Sequence, residues 1–261
     1  MRTLILWLYI LLISGCAGIT VVGDTEGPII ERPSLQALVD LPAPAQKAVV
    51  SVYNFPDLTG QRKSADNMAL FSTAVTQGAD LYLIEALINA GRGSWFTVAE
   101  RIGLDHLTRE RQLIVSTRTS YDGEGANKLM PLLYSGLIME GGIISFDSNY
   151  QTGGTGARYL GIGLTNQYRR DRVTVALRAV LVQTGEIILN VSTSKTIFSV
   201  AAGMDGFKFT ENGTELVELE SGITENETVG YAVKSAIETA VYALIKQGID
   251  RDVWDIKKEE D

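Results

Sequence analysis

The chain has 261 residues, of which 45% are hydrophobic and 21% are charged, a composition that is ordinary for a globular protein. Its 31 acidic side chains outnumber 23 basic ones, so the formal charge is −8. This balance argues against a nucleic-acid-binding protein, because phosphate neutralisation needs a basic surface. The single cysteine, Cys16, has no partner for an intrachain disulfide, and the single histidine, His106, disfavours a histidine-based zinc site. We expect no enzyme, no metal and no cofactor, because the carboxylates show no spacing typical of paired acid–base groups.

The N-terminus has the pattern of a bacterial lipoprotein signal peptide. Residues 4–13 are ten consecutive apolar residues, about half the length that a membrane-spanning helix needs. They end in the sequence ISGC, in which small residues precede Cys16. We expect removal of residues 1–15 and lipidation of Cys16. Because residue 17 is Ala rather than Asp, we expect anchoring in the outer membrane, with the bulk of the chain in the periplasm. The alternative is a plain secretory peptide with a chance cysteine.

The next segment, residues 16–46, holds most of the prolines and predicts an extended lipidated tether, because proline prevents regular ladders. Beyond it, alternating strand and helix patterns predict a compact α/β domain. The predicted elements are a strand over 47–55, a helix over 71–90 ended by Gly91, a strand over 95–98, a helix over 103–113, a strand over 137–144, a hairpin of 173–182 and 187–191 across Thr184-Gly185, and a helix over 229–246 ended by Gly248. The domain is assigned to residues 47–145, 170–190 and 220–261.

Two long segments, 146–169 and 191–219, do not fit that domain, because they alternate apolar with polar or small residues over a greater length. Each contains a glycine-rich stretch that predicts a hairpin turn, Gly153–Gly156 in the first and Gly203–Gly206 in the second. Each arm is close to the 9–11 residues that a tilted membrane strand needs. Each segment is therefore long enough for one membrane-spanning hairpin. The alternative is two amphipathic hairpins that cover a soluble core.

The alternation separates two faces of these hairpins. The positions expected to face lipid are Leu160, Ile162, Leu164, Phe198 and Val200. The positions expected to face a wet lumen are Asn149, Gln151, Gly161, Gly163, Thr165 and Gln167. Two hairpins give four strands, whereas the smallest membrane barrels have eight and open edges are not tolerated in lipid. Spanning hairpins would therefore require several subunits to close one barrel. The predicted fold class is α+β, a periplasmic α/β domain with two transmembrane hairpins per subunit in a shared barrel.

Many short motifs, in the same order, resemble the CsgG family of curli secretion channels. They are LPAPAQKAVVSVYN at 41–54, FSTAV at 71–75, IMEGGIISFDSN at 138–149, GGTGARYLGIG at 153–163, TGEI at 184–187, TSKTI at 193–197, SAIET at 235–239, and the residues Gly248, Ile249, Asp250, Asp252 and Trp254. The resemblance covers nearly the whole chain. The motif at 153–163 lacks the GK[ST] ending of a phosphate loop, so no nucleotide site is expected there.

The resemblance implies an outer-membrane lipoprotein that assembles as a nonameric ring. Cys16 would carry the lipid, and the tether would pack against neighbouring subunits. The ring would export unfolded curli-type amyloid subunits passively, without nucleotide hydrolysis, through a shared barrel above a periplasmic vestibule. A periplasmic cap and an extracellular nucleator would be accessory partners. The alternative function is a monomeric periplasmic lipoprotein that serves as an envelope binding or assembly module.

In the family, the narrowest part of the pore is a loop between the first strand and the first helix, which carries a Tyr and then an Asn-Phe pair. Phe71 matches the Phe, whereas Leu70 occupies the Asn position and no tyrosine lies within 61–70. The resemblance places the constriction at Asp66, Asn67, Leu70 and Phe71. The departures from the family pattern bear on the selectivity of the pore. The alternative role of Phe71 is to cap the helix onto the core.

Overall fold

The computed structural model describes residues 30–60, 75–122, 129–159, 162–209, 216–226 and 228–257. The chain divides into two compact units, Met1–Arg32 and Pro33–Asp261, and the fold below is that of the second unit. Several residues singled out from the sequence lie outside the described ones: Cys16 with the signal peptide, Asp66, Asn67, Leu70, Phe71, Leu160 and Gly161.

Four α-helices and six strands make up the described part of the chain. The helices are α1 (Gln36–Val39), α2 (Ala79–Asn89), α3 (Leu104–Asp122) and α4 (Val229–Asp250), with a 3₁₀ turn at Ala90–Gly93 after α2. The strands are β1 (Ala48–Val52), β2 (Phe96–Ala99), β3 (Leu137–Tyr159), β4 (Ile162–Leu181), β5 (Ile187–Phe209) and β6 (Leu216–Asn226). All six strands belong to one sheet in the order β2-β1-β3-β4-β5-β6.

The sheet is mixed. Strand β1 pairs in parallel with both β2 and β3, and helix α2 lies in the connection from β1 to β2. From β3 onwards every pairing is antiparallel. The predicted hairpin across Thr184-Gly185 is confirmed as the connection of β4 to β5, and Gly185 has the positive φ, +74°, that a tight turn favours. The fold is therefore α+β with a single mixed sheet.

The hydrophobic core lies between one face of the sheet and helices α2 and α4. Every second residue in the inner part of β4 exposes at most 1% of its surface; these are Val173, Val175, Leu177 and Ala179. Helix α4 covers β4 and β5, and α2 packs beside α4. Leu83 of α2 and Leu244 of α4 are examples of the buried helix residues, each worth roughly 1.5–3 kcal/mol. The apolar residues at every second position of the strand and those at helical spacing in α2 and α4 thus pack into one core.

Helix boundaries depart from the sequence prediction. Within the described residues, the helix predicted over 71–90 begins only at Ala79, because Gly78 donates its N–H to the Thr76 hydroxyl, at 3.2 Å, instead of to a helical carbonyl. Its end is confirmed, since Gly91 has a φ of +56°. Helix α3 extends beyond the predicted 103–113 to Asp122.

The prediction that Gly248 ends the last helix is wrong, because α4 continues to Asp250. A Cβ atom at position 248 would lie 2.4 Å from the ring of Trp254. That ring packs edge-on against Trp95 and Phe96, with ring centroids 5.7 Å and 5.8 Å apart. The glycine therefore makes room for an aromatic cluster within the last turn of the helix.

The extended tether predicted over 16–46 is wrong at its C-terminal end, which is folded onto the domain. Leu38 of α1 is fully buried. The Oε2 atom of Glu238 accepts hydrogen bonds from Ser34 Oγ at 2.6 Å and from the Leu35 N–H at 2.8 Å. Trp95 Nε1 donates to the Pro42 carbonyl at 2.9 Å. Pro44 forms an isolated antiparallel bridge with Ile256, and Leu38 is buried, which stabilises the docked segment over an extended one.

Asp40 and Arg92 form an exposed ion pair of 2.9 Å beside this segment. The Gln36 side-chain amide, and then the Arg92 guanidinium, hold the pKa of Asp40 below its ordinary value of 3.8. Because the folded pKa is the lower one, the stabilisation is present above pH 3.8 and is lost as the pH falls through the lowered pKa. Both side chains are exposed, so solvent screening keeps the contribution small.

Candidate functional site

Beyond the core, strands β3 to β6 continue as two antiparallel hairpins. The first is paired as far as Tyr159 with Ile162, so its strands are connected at 160–161. The second is paired as far as Phe209 with Leu216, so its strands are connected at 210–215. Strands β4 and β5 pair with each other along the same length. The result, termed here the four-stranded extension, comprises residues 151–159, 162–170, 198–209 and 216–226.

The glycine-rich stretches do not form the turns, contrary to the sequence prediction. Gly153–Gly156 lie within β3 and Gly203–Gly206 within β5, and all are paired with neighbouring strands. The return strand of the second hairpin is β6, which ends at Asn226 rather than at 219. At least one of these glycines serves packing: a Cβ at Gly153 would lie 2.6 Å from the ring of Tyr168.

The register assigns the positions of the extension to two faces, because directly paired residues share a face and successive residues alternate. The apolar face holds Ile162, Leu164, Phe198 and Val200. The polar face holds Gly163, Thr165 and Gln167. The expected lipid-facing positions of β4 and β5 therefore share one face of the sheet, and the expected lumen-facing positions of β4 share the other.

Gln151 departs from the predicted grouping. It pairs with Arg170, so its position lies on the apolar face, and its grouping with Gly163 is wrong. The cause is Phe146, which pairs with Val173 and is buried with it in the core. That sheet face is the one that continues as the polar face. The apolar character of Phe146 therefore reflects the core, and an alternation counted from it assigns the first arm to the wrong face.

Ile197 shows the same effect on β5. It is apolar at a position that strict alternation with Phe198 and Val200 assigns to the polar face; it is only 1% exposed and pairs with the buried Asp171. Asn149 lies in an irregular stretch of β3, between the pairs of Asp147 and Gln151, and no register partner assigns it to a face.

The four-stranded extension has an open edge on each side within the described residues. Strand β6 pairs only with β5, and β3 beyond Ile143 pairs only with β4. Backbone N–H and C=O groups along such an edge need water or another strand as a partner. The extension can therefore accept one further strand at each edge.

The two ends of the predicted constriction loop are held on the domain. Before the loop, the Leu58 N–H donates to the Ile143 carbonyl at 2.9 Å, and the Ile143 N–H donates to the Pro56 carbonyl at 3.0 Å. Asp57 joins the two ends: its Oδ1 accepts from the Thr59 N–H at 2.9 Å, and its Oδ2 accepts from Gln77 Nε2 at 3.2 Å. In the sequence, Asp57 follows Pro56 at the end of the predicted strand and is typical of a turn, because a contact across 20 residues leaves no local signal.

The remaining candidates from the sequence show no catalytic or metal-binding arrangement within the described residues. His106 is exposed on α3. No group of three His, Cys, Asp or Glu within the described ranges could hold a metal ion. No helix among the described residues is both long enough and apolar enough to cross a membrane. The glycine-rich motif lies in strands β3 and β4 where it is described.

Comparison with known proteins identifies the family. The family profile described as "Curli production assembly/transport component CsgG" matches residues 31–261. The protein of that name from Salmonella typhimurium is 41% identical over 266 residues, which cover 100% of this chain and 94% of the relative. The one from Escherichia coli is 41% identical over 264 residues, with coverage of 99% and 93%.

Among solved structures, the PelC dodecamer from Paraburkholderia phytofirmans covers 78% of this chain and 92% of its own, with 10% identity and a TM-score of 0.31. That similarity is too distant to support a structural argument. The sequence matches are far stronger and span the α+β domain together with both hairpins. On their strength, the chain belongs to the CsgG family.

Proposed function

We propose that this protein is the subunit of an oligomeric outer-membrane channel that exports unfolded curli-type subunits from the periplasm to the cell surface. A family described as a curli production assembly/transport component supports a role in curli secretion. The observation that carries the proposal is the four-stranded extension, which projects beyond the packed core. The extension has an apolar face, a polar face and, within the described residues, two open edges.

The length of the extension suits a membrane crossing. Strand β6 has 11 residues, all paired in register with the outer part of β5. A tilted strand that spans an outer membrane needs about 9–11 residues. The apolar face, with Ile162 and Leu164, would contact lipid, and the polar face, with Thr165 and Gln167, would line a water-filled lumen.

The open edges argue for assembly. Backbone groups must be satisfied inside a bilayer, so only closed barrels of strands can cross it. Four strands per chain are fewer than the eight of the smallest membrane barrels. We therefore propose that β6 of one subunit pairs with β3 of the next and that the ring closes with several copies, nine by resemblance to the family.

The remaining parts have roles within this channel. Cys16 would carry the lipid that anchors each subunit. Asp66, Asn67, Leu70 and Phe71 would form the constriction, where a ring of Phe71 side chains contacts the unfolded cargo without sequence specificity. Transport would be passive, driven by diffusion and by folding or polymerisation outside. A periplasmic cap and an extracellular nucleator would assist.

The native mass of the detergent-extracted protein, with its lipid intact, tests the proposal. We expect one species near nine subunits, and discrete conductance steps when it is added to a planar bilayer. A monomer in mild detergent would overturn the channel and leave the monomeric envelope binding module as the function.

Phe71→Ala tests the constriction in the same preparation. Removing the ring widens the narrowest point, so the conductance should rise. Tyr121→Ala removes an aromatic side chain that is 87% exposed on α3 and should leave the conductance unchanged. If Phe71→Ala also leaves it unchanged, Phe71 only packs the helix onto the core.

A further inference from the structure

An aromatic and cationic row crosses the sheet where the four-stranded extension leaves the domain. The rings of Tyr168 and Phe198 are stacked, with centroids 6.2 Å apart and an interplanar angle of 24°. The Arg170 guanidinium carbon lies 5.5 Å from the centroid of the Phe198 ring. Arg170 and Phe198 are direct register partners, so the row lies on the apolar face. Phe198 is 45% exposed although it is a large apolar side chain.

Gly153 extends the row to a third strand. It is the register partner of Tyr168, and the Tyr168 ring occupies the space where a Cβ at position 153 would lie, at 2.6 Å. The tyrosine therefore crosses from β4 over β3 on one side and stacks on Phe198 of β5 on the other. An aromatic ring placed over a glycine of the neighbouring strand packs directly on the backbone of that strand.

The row marks a boundary in chemistry along this face of the sheet. On its outer side lie the positions Ile162 and Leu164 of the apolar face. On its inner side the same face is polar, with Thr174 hydrogen-bonded to Ser194 at 2.9 Å and Arg178 paired with Glu140 at 2.8 Å. Aromatic rings and long cationic side chains collect where a membrane protein passes from hydrocarbon to water.

We infer that Arg170, supported by Tyr168 and Phe198, binds the headgroup phosphate of an anionic phospholipid in the leaflet nearest the domain. The inference rests on the proposed function, because it takes the hairpins to cross the membrane. A guanidinium has five N–H donors, so it can stack on a ring through its face and donate from its edge to a phosphate in addition to the partners it has within the protein. Arg172 lies on the same face, two residues nearer the core, and its register partner is Asp147.

Native mass spectrometry of the full lipidated protein in detergent, titrated with phosphatidylglycerol or with phosphatidylcholine, tests this inference. We expect the wild type to retain phosphatidylglycerol preferentially and Arg170→Gln to lower that preference about fivefold, which corresponds to about 1 kcal/mol for one cation near an anionic headgroup. Arg170→Lys should keep most of the preference, since it keeps the charge.

Arg178→Gln is the matched control, because Arg178 lies on the same face of the same strand but about 26 Å further from the hairpin ends. It should leave the lipid preference unchanged. Equal preference in the wild type and Arg170→Gln would overturn the inference, and so would an equal loss in Arg178→Gln. Displacement of the lipid by glycerol 3-phosphate at the same concentration would show a site for free phosphate and would also overturn it.

The failure of the channel proposal would look different. Loss of the ring-sized species and of conductance in the wild type would overturn the proposed function whatever the lipid preference is. A ring with normal conductance, whose lipid preference does not depend on Arg170, would overturn only the lipid site.

Discussion

At the scale of single residues, local sequence patterns assigned the wrong structural role to two glycines. Gly153 and Gly248 look like a turn and a helix stop in the sequence, and each instead makes room for a ring, that of Tyr168 or that of Trp254. The Tyr168 ring comes from the neighbouring strand, and the Trp254 ring comes from beyond the end of helix α4. A local reading cannot see them, because glycine signals only that a Cβ is absent and not what replaces it.

Gly248→Ala should destabilise the protein by about 1–3 kcal/mol, because the new methyl group would overpack the Trp254 ring. The midpoint of thermal unfolding of the detergent-extracted protein measures the effect. Gly136→Ala is the control, since its Cβ would meet only the Val49 carbonyl oxygen at an ordinary 3.7 Å. Equal midpoints for the two variants would contradict the packing role of Gly248.

At the scale of elements, the attachment of the N-terminal segment to helix α4 is the contact that the sequence least suggested. Glu238 is 2% exposed, and one of its oxygens accepts from both Ser34 and Leu35. On the same helix, the buried Lys234 pairs with Glu85 of α2 at 3.2 Å. These buried polar groups are satisfied by partners on other elements, so α4 holds both α2 and the segment that leads toward the predicted lipid anchor.

Glu238→Ala should release residues 34–46 from the domain, because it leaves the Leu35 N–H and the Ser34 hydroxyl without their acceptor at a cost of about 1–3 kcal/mol. Limited proteolysis should then cut this segment faster than in the wild type. Glu238→Gln keeps one acceptor oxygen and should show an intermediate rate. The exposed Glu186→Ala is the control; a cleavage rate in Glu238→Ala equal to that of the control would refute the anchoring role.

At the scale of the whole molecule, one sheet has an inner part that belongs to the packed core and an outer part that extends beyond it. Its inner part is covered on one face by α2 and α4, and its outer part has no covering helix among the described residues. The face that is apolar inside, with Phe146 and Val173, continues outside as the polar face, with the positions of Thr165 and Gln167. Such an inversion fits a strand that leaves a protein core and enters a wet lumen on the same side.

A proline on β6 should prevent assembly without unfolding the domain. Successive residues of an antiparallel strand point their N–H groups alternately to the two edges, so one of Ile223→Pro and Thr224→Pro removes a donor from the open edge. We expect that variant to run as a species smaller than the ring in native mass measurements, with unchanged far-ultraviolet circular dichroism in the helical region. Alanine at the same positions is the control, and a ring that persists in both proline variants would contradict pairing at this edge.

Local sequence patterns were enough to predict the parts of the fold that depend on local chemistry. The strand before Tyr53, the hairpin at Gly185, the end of α2 at Gly91 and the family all follow from short patterns, because a turn needs its glycine and a strand its alternation. Three features could not be predicted in this way: the glycine-rich stretches lie inside β3 and β5, Gln151 joins the apolar face, and residues 34–46 dock on the domain. Each of these depends on strand register or on burial between distant residues, and these are set by the whole sheet and its covering helices rather than by neighbours in the chain.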